Sequence, residues 1–440
     1  MKVASANIVF CLFFLLVKDT VADAQHSFNS LDALFNYANQ KSTVLRSDSL
    51  KLDQAKKAKL AALLAIPDLN ANVGLNVTDN TKLPVSVFPA EAFGGAPGTY
   101  REVQTGIQYT NNFNQYAEVK LINASGWQNY KLARINIATT NIDNKISKKI
   151  LYENITNCYY NIITLQAQQS STTENIKVSD TILQIVTNKH DAGIARQQDV
   201  NDAQASYINA TESLRQIQSV IASQYLTLKI LCDLPESEDI FISELPGSGK
   251  GAEPILSINE LNYISSYNKQ QYAMASYKQS KRTLLPSLNA FASNNNQQFS
   301  DNFSLLDQHV NWINSNYIGL KLSWQIPTAN TIAQISKAKY DYLLSVENTE
   351  HQRLKANLDF EQLKIEYSKS VSQSNSNKLV AMLREDTYRR NLENSREGII
   401  SLDKLLLSYN EMVNSSYTSI SASVSVLLNE SKIKIYNKIK

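Results

Sequence analysis

The sequence predicts a mainly α-helical fold with a membrane β-barrel part, built as a duplicated helix–strand–strand–helix–helix repeat. Three observations lead to this fold class. Glycine and proline are scarce, at 12 and 9 of 440 residues, which favours long uninterrupted helices over a many-stranded sandwich. Two-faced strands stand between the helices, most clearly in YIGLKLSWQIP (317–327). The elements of the first half also recur in the second half in the same order.

The N-terminus has the features of a secretory signal peptide over residues 1–24. Lys2 supplies a positive charge, and residues 6–17 form an apolar run of signal-peptide length. The sequence ADA at 22–24 offers a cleavage site that leaves Gln25 first in the mature chain. The alternative is a buried N-terminal helix. Beyond the signal no apolar run approaches about 18 residues, so entry into a membrane would require a β-barrel.

Four short motifs of the first half recur in order in the second half. The pairs are SFNSL (27–31) with SINEL (257–261), IPDLNA (66–71) with LPSLNA (285–290), YAEVKL (116–121) with YIGLKL (317–322), and AGI (192–194) with EGI (397–399). Any single match could arise by chance, but four in order indicate an internal duplication. We therefore predict a first structural repeat over residues 25–246 and a second over 247–440. The Pro- and Gly-rich segment 233–254 is the natural joint between them.

Each repeat is predicted to contain two strands. Those of the first repeat lie at about 68–78 and 103–122, and residues 80–100 form an extra loop between them. Those of the second repeat lie at about 287–297 and 316–326. This makes four strands in the chain.

Alternation gives each strand one apolar and one polar face. Leu320, Leu322 and Trp324 share one face of the last strand, and Lys321 and Gln325 share the other. In the first repeat the polar face carries Glu118, Lys120 and a series of asparagines. The pattern alone leaves open a soluble sheet with a wet face and a core face. The signal peptide and the flanking helices favour a membrane location.

The helices are far longer than those of ordinary globular domains. From about Trp127 to Lys189 the chain contains no proline and no glycine, which predicts a helix of roughly 95 Å. After Val200, apolar residues recur at alternating spacings of three and four, which is typical of a coiled-coil seam. Gly193 is a candidate for the left-handed residue that ends the first long helix. We therefore expect an antiparallel helical hairpin with its tip near 193, and a second with its tip near 398.

Four strands cannot close a barrel in lipid, where open sheet edges are not tolerated. A secreted chain with two lipid-compatible strand pairs therefore needs further copies of itself, and three copies supply twelve strands. In such a barrel Leu320 and Leu322 would face lipid, and Lys321 would face water inside.

The duplicated arrangement and the tip segment AGIARQQDVNDAQASY (192–207) resemble the TolC-type outer-membrane efflux protein family. Gly193, Asp199, Val200 and Ala203 match the first-repeat tip of that family. The resemblance implies a homotrimer with a 12-stranded β-barrel in the bacterial outer membrane, continued by a long α-helical barrel in the periplasm. It also implies partnership with a periplasmic adaptor (membrane fusion) protein and an inner-membrane pump. Such ducts export substrates in tripartite efflux or type I secretion systems and are not enzymes.

The resemblance also implies roles for residues at the hairpin tips. The residues expected to dock the adaptor are Gly193, Ile194, Asp199, Val200, Gly398 and Ile399. Those expected to form the periplasmic gate are Asp199, Arg396, Asp403, Lys404 and Leu407. The second tip departs from the family pattern, since Ile400 stands where an arginine is common. The alternative is that these charged residues are simply solvated.

The two cysteines of the predicted mature chain lie on opposite arms of the first hairpin. Cys158 and Cys232 are almost equally far from the turn at Gly193, so antiparallel helices would bring them level. Secreted proteins fold under oxidising conditions, which makes a disulfide possible. The alternative is a pair of buried free thiols.

No constellation of residues predicts catalysis, a cofactor or a metal. The four histidines are far apart and lack metal-ligand spacing, and there is no Gly-rich phosphate loop. A net charge of +3 without a basic run gives no reason to expect a nucleic-acid partner. The main alternative function is a secreted coiled-coil scaffold or adhesin with a soluble β-sheet.

Overall fold

The computed structural model describes residues 26–28, 30–238, 240–242, 260–303, 305 and 311–439. The predicted signal peptide and most of the predicted joint at 233–254 lie outside the described residues. The helices are α1 (Leu31–Lys41), α2 (Thr43–Leu64), α3 (Ala124–Asp191), α4 (Gln197–Cys232), α5 (Leu261–Arg282), α6 (Ala329–Arg396) and α7 (Leu402–Lys438). The strands are β1 (His26–Phe28), β2 (Asn70–Asp79), β3 (Val85–Pro89), β4 (Tyr100–Gln104), β5 (Tyr109–Ile122), β6 (Ile240–Ile242), β7 (Ser287–Ser300) and β8 (Ile313–Ser323).

The two halves of the described chain contain helices of matching length in the same order. Helices α2 and α5 have 22 residues each, and α3 and α6 have 68 each. The helices that follow them, α4 and α7, have 36 and 37. At 1.5 Å per residue, α3 and α6 are each about 100 Å long. The repeat boundaries at 246 and 247 remain a prediction.

Four strands form one antiparallel sheet in the order β2-β5-β7-β8. The register runs through Asn70, Glu118, Phe291 and Gly319, which lie side by side across the sheet. Strands from both halves therefore meet at the β5–β7 pair. Strands β2 and β8 are the two edges of this sheet.

The prediction of a loop at residues 80–100 is wrong, because this segment contains paired strands. Residues 85–89 and 100–104 pair as an antiparallel hairpin, β3–β4, around a short 3-10 helix at Ala90–Phe93. Prolines and glycines in this segment suggested a loop, but the β-branched and aromatic residues between them pair across the hairpin. The predicted strand at 103–122 is therefore divided. Gly106, with φ of 111°, lies between the end of β4 and the start of β5.

The last strand ends at Ser323, three residues before the predicted end. Its partner β7 begins at Ser287, directly after Pro286, which has no N–H to donate to a ladder. Trp324 therefore lies past the strand, and its indole N–H donates to the carbonyl of Leu284 at 3.1 Å.

The chain divides into two compact units. One contains the described parts of residues 1–46, 148–257 and 361–440, and the other contains those of 47–147 and 258–360. The first unit has an apolar core in which the ring of Phe35 on α1 stacks on that of Tyr152 on α3 at 4.1 Å. The parallel pair β1–β6 belongs to this unit. The second unit contains the four-stranded sheet with α2 and α5.

Candidate functional site

Both helical hairpins turn through the same backbone motif. Gly193 and Gly398 have φ of 75° and 76°, which is the left-handed region that ends helices. The next residue donates its N–H back to the last turn of the helix: Ile194 to the carbonyl of Lys189, and Ile399 to that of Asn394, each at 2.8 Å. These bonds define a Schellman turn at each tip.

The isoleucine that follows each tip glycine is exposed. Ile194 is 77% exposed and Ile399 is 65% exposed. In a Schellman turn the residue at this position commonly packs back against its own helix. Two isoleucines that remain open at equivalent positions form a small apolar surface at the end of each hairpin.

Asp199 has a local role at the start of α4. Its carboxylate accepts the backbone N–H of Arg196 at 2.9 Å, which satisfies one of the free donors at the helix N-terminus. Within the described residues of the single chain, Asp199 makes no ion pair with Arg396 or Lys404. The predicted gate pairing is between neighbouring hairpins and remains a prediction.

The predicted gate residues of the second hairpin lie on the open side of α7. Asp403, Lys404 and Leu407 are exposed, and Leu407 is 60% exposed. Leu405 and Tyr409 lie on the opposite side and are buried. The helix therefore presents a charged and apolar stripe near its start, while its other side packs inside the unit.

Tyr409 joins the second hairpin to the first. Its ring packs with Tyr388 and Leu405, and Val178 of α3 packs against the same cluster. Its hydroxyl donates to the backbone carbonyl of Asn175 on α3 at 2.6 Å. Burial is the main cause that raises the pKa of Tyr409 to about 12. The sequence carries no signal for this contact, because the partner of Tyr409 is a backbone atom 234 positions away.

The two cysteines are free thiols in the structure. Both are buried in the apolar core of the first unit. The thiol of Cys158 donates to the backbone carbonyl of Gln224 on α4 at 3.3 Å. Burial raises the pKa of Cys158 to about 11 and is the main cause that raises that of Cys232 to about 12. Their reactivity as nucleophiles is therefore suppressed.

The sheet register separates the strand side chains into two faces. Leu320 pairs with Ala290 on one face, while Lys321 pairs with Asn289 on the other, as the alternation predicts. Leu320 is 68% exposed, and Leu322 on the same face is also open. On the polar face the carboxylate of Glu118 accepts the hydroxyl of Tyr116 at 2.6 Å and the amide of Asn289. A single chain thus leaves an apolar sheet face uncovered.

The apolar face becomes polar toward the far ends of β7 and β8. The amide of Asn314 donates to the side-chain oxygen of Asn294 at 3.1 Å and also to that of Asn296. On the same face the amide of Asn111 donates to Gln298 at 2.8 Å, and both residues are buried. The apolar part around Leu320 is therefore only one section of this face.

Among the described residues, no group of three or more His, Cys, Asp or Glu side chains is placed to hold a metal ion.

Within the same residues, no helix has both the length and the apolar character needed to cross a membrane.

Comparison of the structure with solved structures finds outer-membrane channels. The outer membrane protein VceC of Vibrio cholerae matches with a TM-score of 0.74 and 14% identity, over 92% of this chain and 96% of VceC. The CmeC outer membrane channel of Campylobacter jejuni matches with a TM-score of 0.75 and 13% identity, over 93% of this chain and 85% of CmeC. CusC matches with a TM-score of 0.75 and 15% identity, over 93% of this chain and 92% of CusC.

The chain has the fold of the TolC-type outer-membrane channels. This confirms the predicted fold class in its mainly helical, strand-containing form. No protein-family model and no curated protein sequence matches the chain. At 13–15% identity the likeness concerns the fold and not the roles of individual residues.

Proposed function

We propose that this TolC-type chain is the outer-membrane duct of a tripartite efflux or type I secretion system. It works as a homotrimer, with a 12-stranded β-barrel in the outer membrane and an α-helical barrel in the periplasm. Substrates pass through it from the periplasmic side to the exterior, and it catalyses no reaction. The solved channels of the same fold support this proposal at the level of architecture.

The observation that carries the proposal is the four-stranded sheet. Strands β2 and β8 are its unpaired edges, and the apolar section of one face, around Leu320, is exposed. Lipid can cover the apolar face, but it cannot satisfy the backbone N–H and C=O groups of an open edge. Pairing β8 of one copy with β2 of the next satisfies both edges, and three copies supply twelve strands.

The hairpin tips are the proposed docking site for the periplasmic adaptor. The tip residues are Gly193, Ile194, Asp199, Val200, Gly398 and Ile399. The two tips have the same turn and present an exposed isoleucine at the same position. A partner that repeats one binding element could therefore engage both tips through equivalent contacts. An inner-membrane pump completes the proposed assembly.

The proposed periplasmic gate lies beside these tips. In this gate, Asp199 of one hairpin faces a neighbouring hairpin. Its partner there is either Arg396 at the end of α6 or the exposed stripe of Asp403, Lys404 and Leu407 on α7. Exposed ion pairs contribute only about 0–1 kcal/mol each, but three symmetric copies act together. In this proposal, weak ion pairs lie where the duct has to open.

The assembly is tested by mass measurement and imaging of the full-length protein purified from the outer-membrane fraction in detergent. We expect a hollow trimer. A folded, water-soluble monomer or dimer would contradict the duct and would favour a secreted scaffold.

The docking site is tested by Ile194→Asp and Ile399→Asp, separately and together. Ile208→Asp on α4 is the matched control, because Ile208 is also exposed at 56% but lies away from the turn. We expect normal trimers with reduced adaptor binding for the tip variants alone. Adaptor binding that is unchanged in the double variant would exclude the tips as the docking site.

A further inference from the structure

The segment between β2 and β5 forms a two-stranded extension of the sheet, which we call the arm (residues 80–108). The β2–β5 ladder ends at the pair of Asp79 and Tyr109. Asn80 then donates its backbone N–H to the carbonyl of Gln108 at 2.7 Å. Thr105 donates to the carbonyl of Pro84 at 2.9 Å, after which β3 and β4 pair from Val85 to Pro89.

The arm continues past the point where the neighbouring strand ends. The last residue of β7, Ser300, pairs with Tyr109. From there the arm extends along nine further residues, from 108 back to Tyr100, before the chain turns. At about 3.3 Å per residue this corresponds to a projection of up to about 30 Å. Among the described residues, the arm is not paired to β7 or β8 over this length.

The two faces of the arm differ in chemistry. Val87 pairs with Glu102, and Pro89 pairs with Tyr100, so one face is apolar and acidic; we call it the acidic face. On this face Val87 is 59% exposed and Tyr100 is 75% exposed.

The other face is aromatic and basic, and we call it the basic face. It contains Phe88, which pairs with Arg101, and Phe93 of the 3-10 helix. The ring of Phe93 packs edge-on against that of Phe88 at 5.9 Å, and the guanidinium of Arg101 lies over it at 5.6 Å. The basic face therefore has a small aromatic cluster of its own, with the positive charge of Arg101 over the ring of Phe93.

A two-stranded hairpin is only marginally stable in water when it packs against nothing. Exposed valines and a tyrosine on one face and aromatic rings on the other indicate that both faces are covered in the working protein. Pairing along the free edge of β3 is disfavoured, because Pro84 and Pro89 lack N–H groups at its two ends. The exposed apolar and aromatic side chains lie on the two faces of the arm, so we expect the contact to be face to face.

We propose that the arms of three copies pack on one another in a ring, with the acidic face of each arm against the basic face of the next. This ring narrows the outer mouth of the duct. The inference rests on the proposed function, because the trimer brings three arms to the same end of the barrel. Cyclic symmetry joins two different surfaces at every contact, and these two faces carry opposite charges and both expose apolar side chains.

Charge reversal tests the contact between copies. Glu102→Arg and Arg101→Glu each place like charges opposite one another in the ring, whereas the double variant restores opposite charges. The readout is crosslinking of a cysteine pair, Val87→Cys with Phe93→Cys, by a short bis-maleimide in purified trimers. We expect crosslinking between copies to fall by about tenfold in each single reversal and to recover in the double one.

The matched control pair is Val87→Cys with Gln325→Cys. Gln325 is also exposed but follows β8 at the opposite end of the sheet from the arm, so this pair should not crosslink. The natural thiols, Cys158 and Cys232, are buried with raised pKa values and give little background.

The effect on the mouth is tested by replacing residues 81–107 with an Asn-Gly turn, which suits a tight hairpin between β2 and β5. We expect a higher single-channel conductance in a planar bilayer than the full chain shows. The charge-reversal series keeps the test decisive if the shortened chain fails to assemble.

Several results would overturn the proposal. Intact trimers without crosslinks, or without recovery in the double reversal, would refute the ring while leaving the duct in place. Unchanged conductance without the arm would refute the narrowing. A Val87→Cys side chain that reacts with a membrane-impermeant maleimide on intact cells as fast as it does in denatured protein would show that the acidic face is uncovered and would refute the ring. Absence of any trimer would refute the duct and the ring together.

Discussion

Removing the hydroxyl of Tyr409 tests how firmly α7 is held to α3 near the proposed gate. Tyr409→Phe keeps the ring that packs with Tyr388 and removes only the bond to the carbonyl of Asn175. That carbonyl lies inside a continuous helix and keeps its own backbone donor, so no acceptor is left empty. The expected loss is therefore about 1 kcal/mol per chain, the typical net contribution of one hydrogen bond.

If opening the duct separates α7 from α3, the loss appears in the gate equilibrium. About 1 kcal/mol raises the population of the separated state roughly fivefold per chain. The assay is the open probability of single channels in a planar bilayer. Tyr388→Phe is the matched control, because Tyr388 lies in the same cluster but its hydroxyl has no bond to α3 among the described contacts.

The pKa of Tyr409 supplies a second readout. Its ordinary value of 10.0 is raised to about 12 in the folded chain, so the folded state holds the proton more tightly than the unfolded state. Stability from this group is complete below pH 10 and is lost as the pH rises toward 12. Tyr409→Phe should make this alkaline loss smaller. Equal open probabilities for Tyr409→Phe and Tyr388→Phe, together with an unchanged alkaline profile, would refute the reasoning.

Three further outcomes are expected. Leu320→Arg should lower the stability of the barrel by about 2–4 kcal/mol, measured by urea unfolding in lipid, whereas Lys321→Gln should leave that stability nearly unchanged. Equal effects of the two variants would mean that the faces are misassigned. Gly193→Val should destabilise the tip turn by more than about 1 kcal/mol. No neighbouring atom would block the new side chain, but the φ of 75° at this position disfavours any residue other than glycine. Unchanged thermal unfolding would contradict this prediction. In the absence of reductant, Cys158 and Cys232 should react with iodoacetamide after denaturation but not in the folded protein. A peptide mass that shows a disulfide, or rapid labelling of the folded protein at pH 8, would exclude buried free thiols.

Features that depend on neighbouring residues can be predicted from the sequence alone. The scarcity of proline and glycine predicts the long helices, and α3 and α6 are indeed 68 residues each. Glycine is the residue that takes a left-handed backbone without strain, so Gly193 and Gly398 indicate the hairpin tips before any coordinates are known. Strand alternation separates Leu320 from Lys321, because a pleated backbone allows no other arrangement.

Contacts between residues far apart in the chain follow only from the way the elements pack. The pairing of residues 85–89 with 100–104 depends on a register that the flanking prolines and glycines conceal, so the sequence predicts a loop here. The bond from Tyr409 to Asn175 joins a side chain to a backbone carbonyl, which any residue could supply. Packing also directs the thiol of Cys158 to the carbonyl of Gln224. The sequence shows that the two cysteines lie at similar heights on their helices, but it does not show which group each thiol contacts. Local pattern thus predicts the helices and strands, whereas the contacts between distant residues arise from how these elements pack.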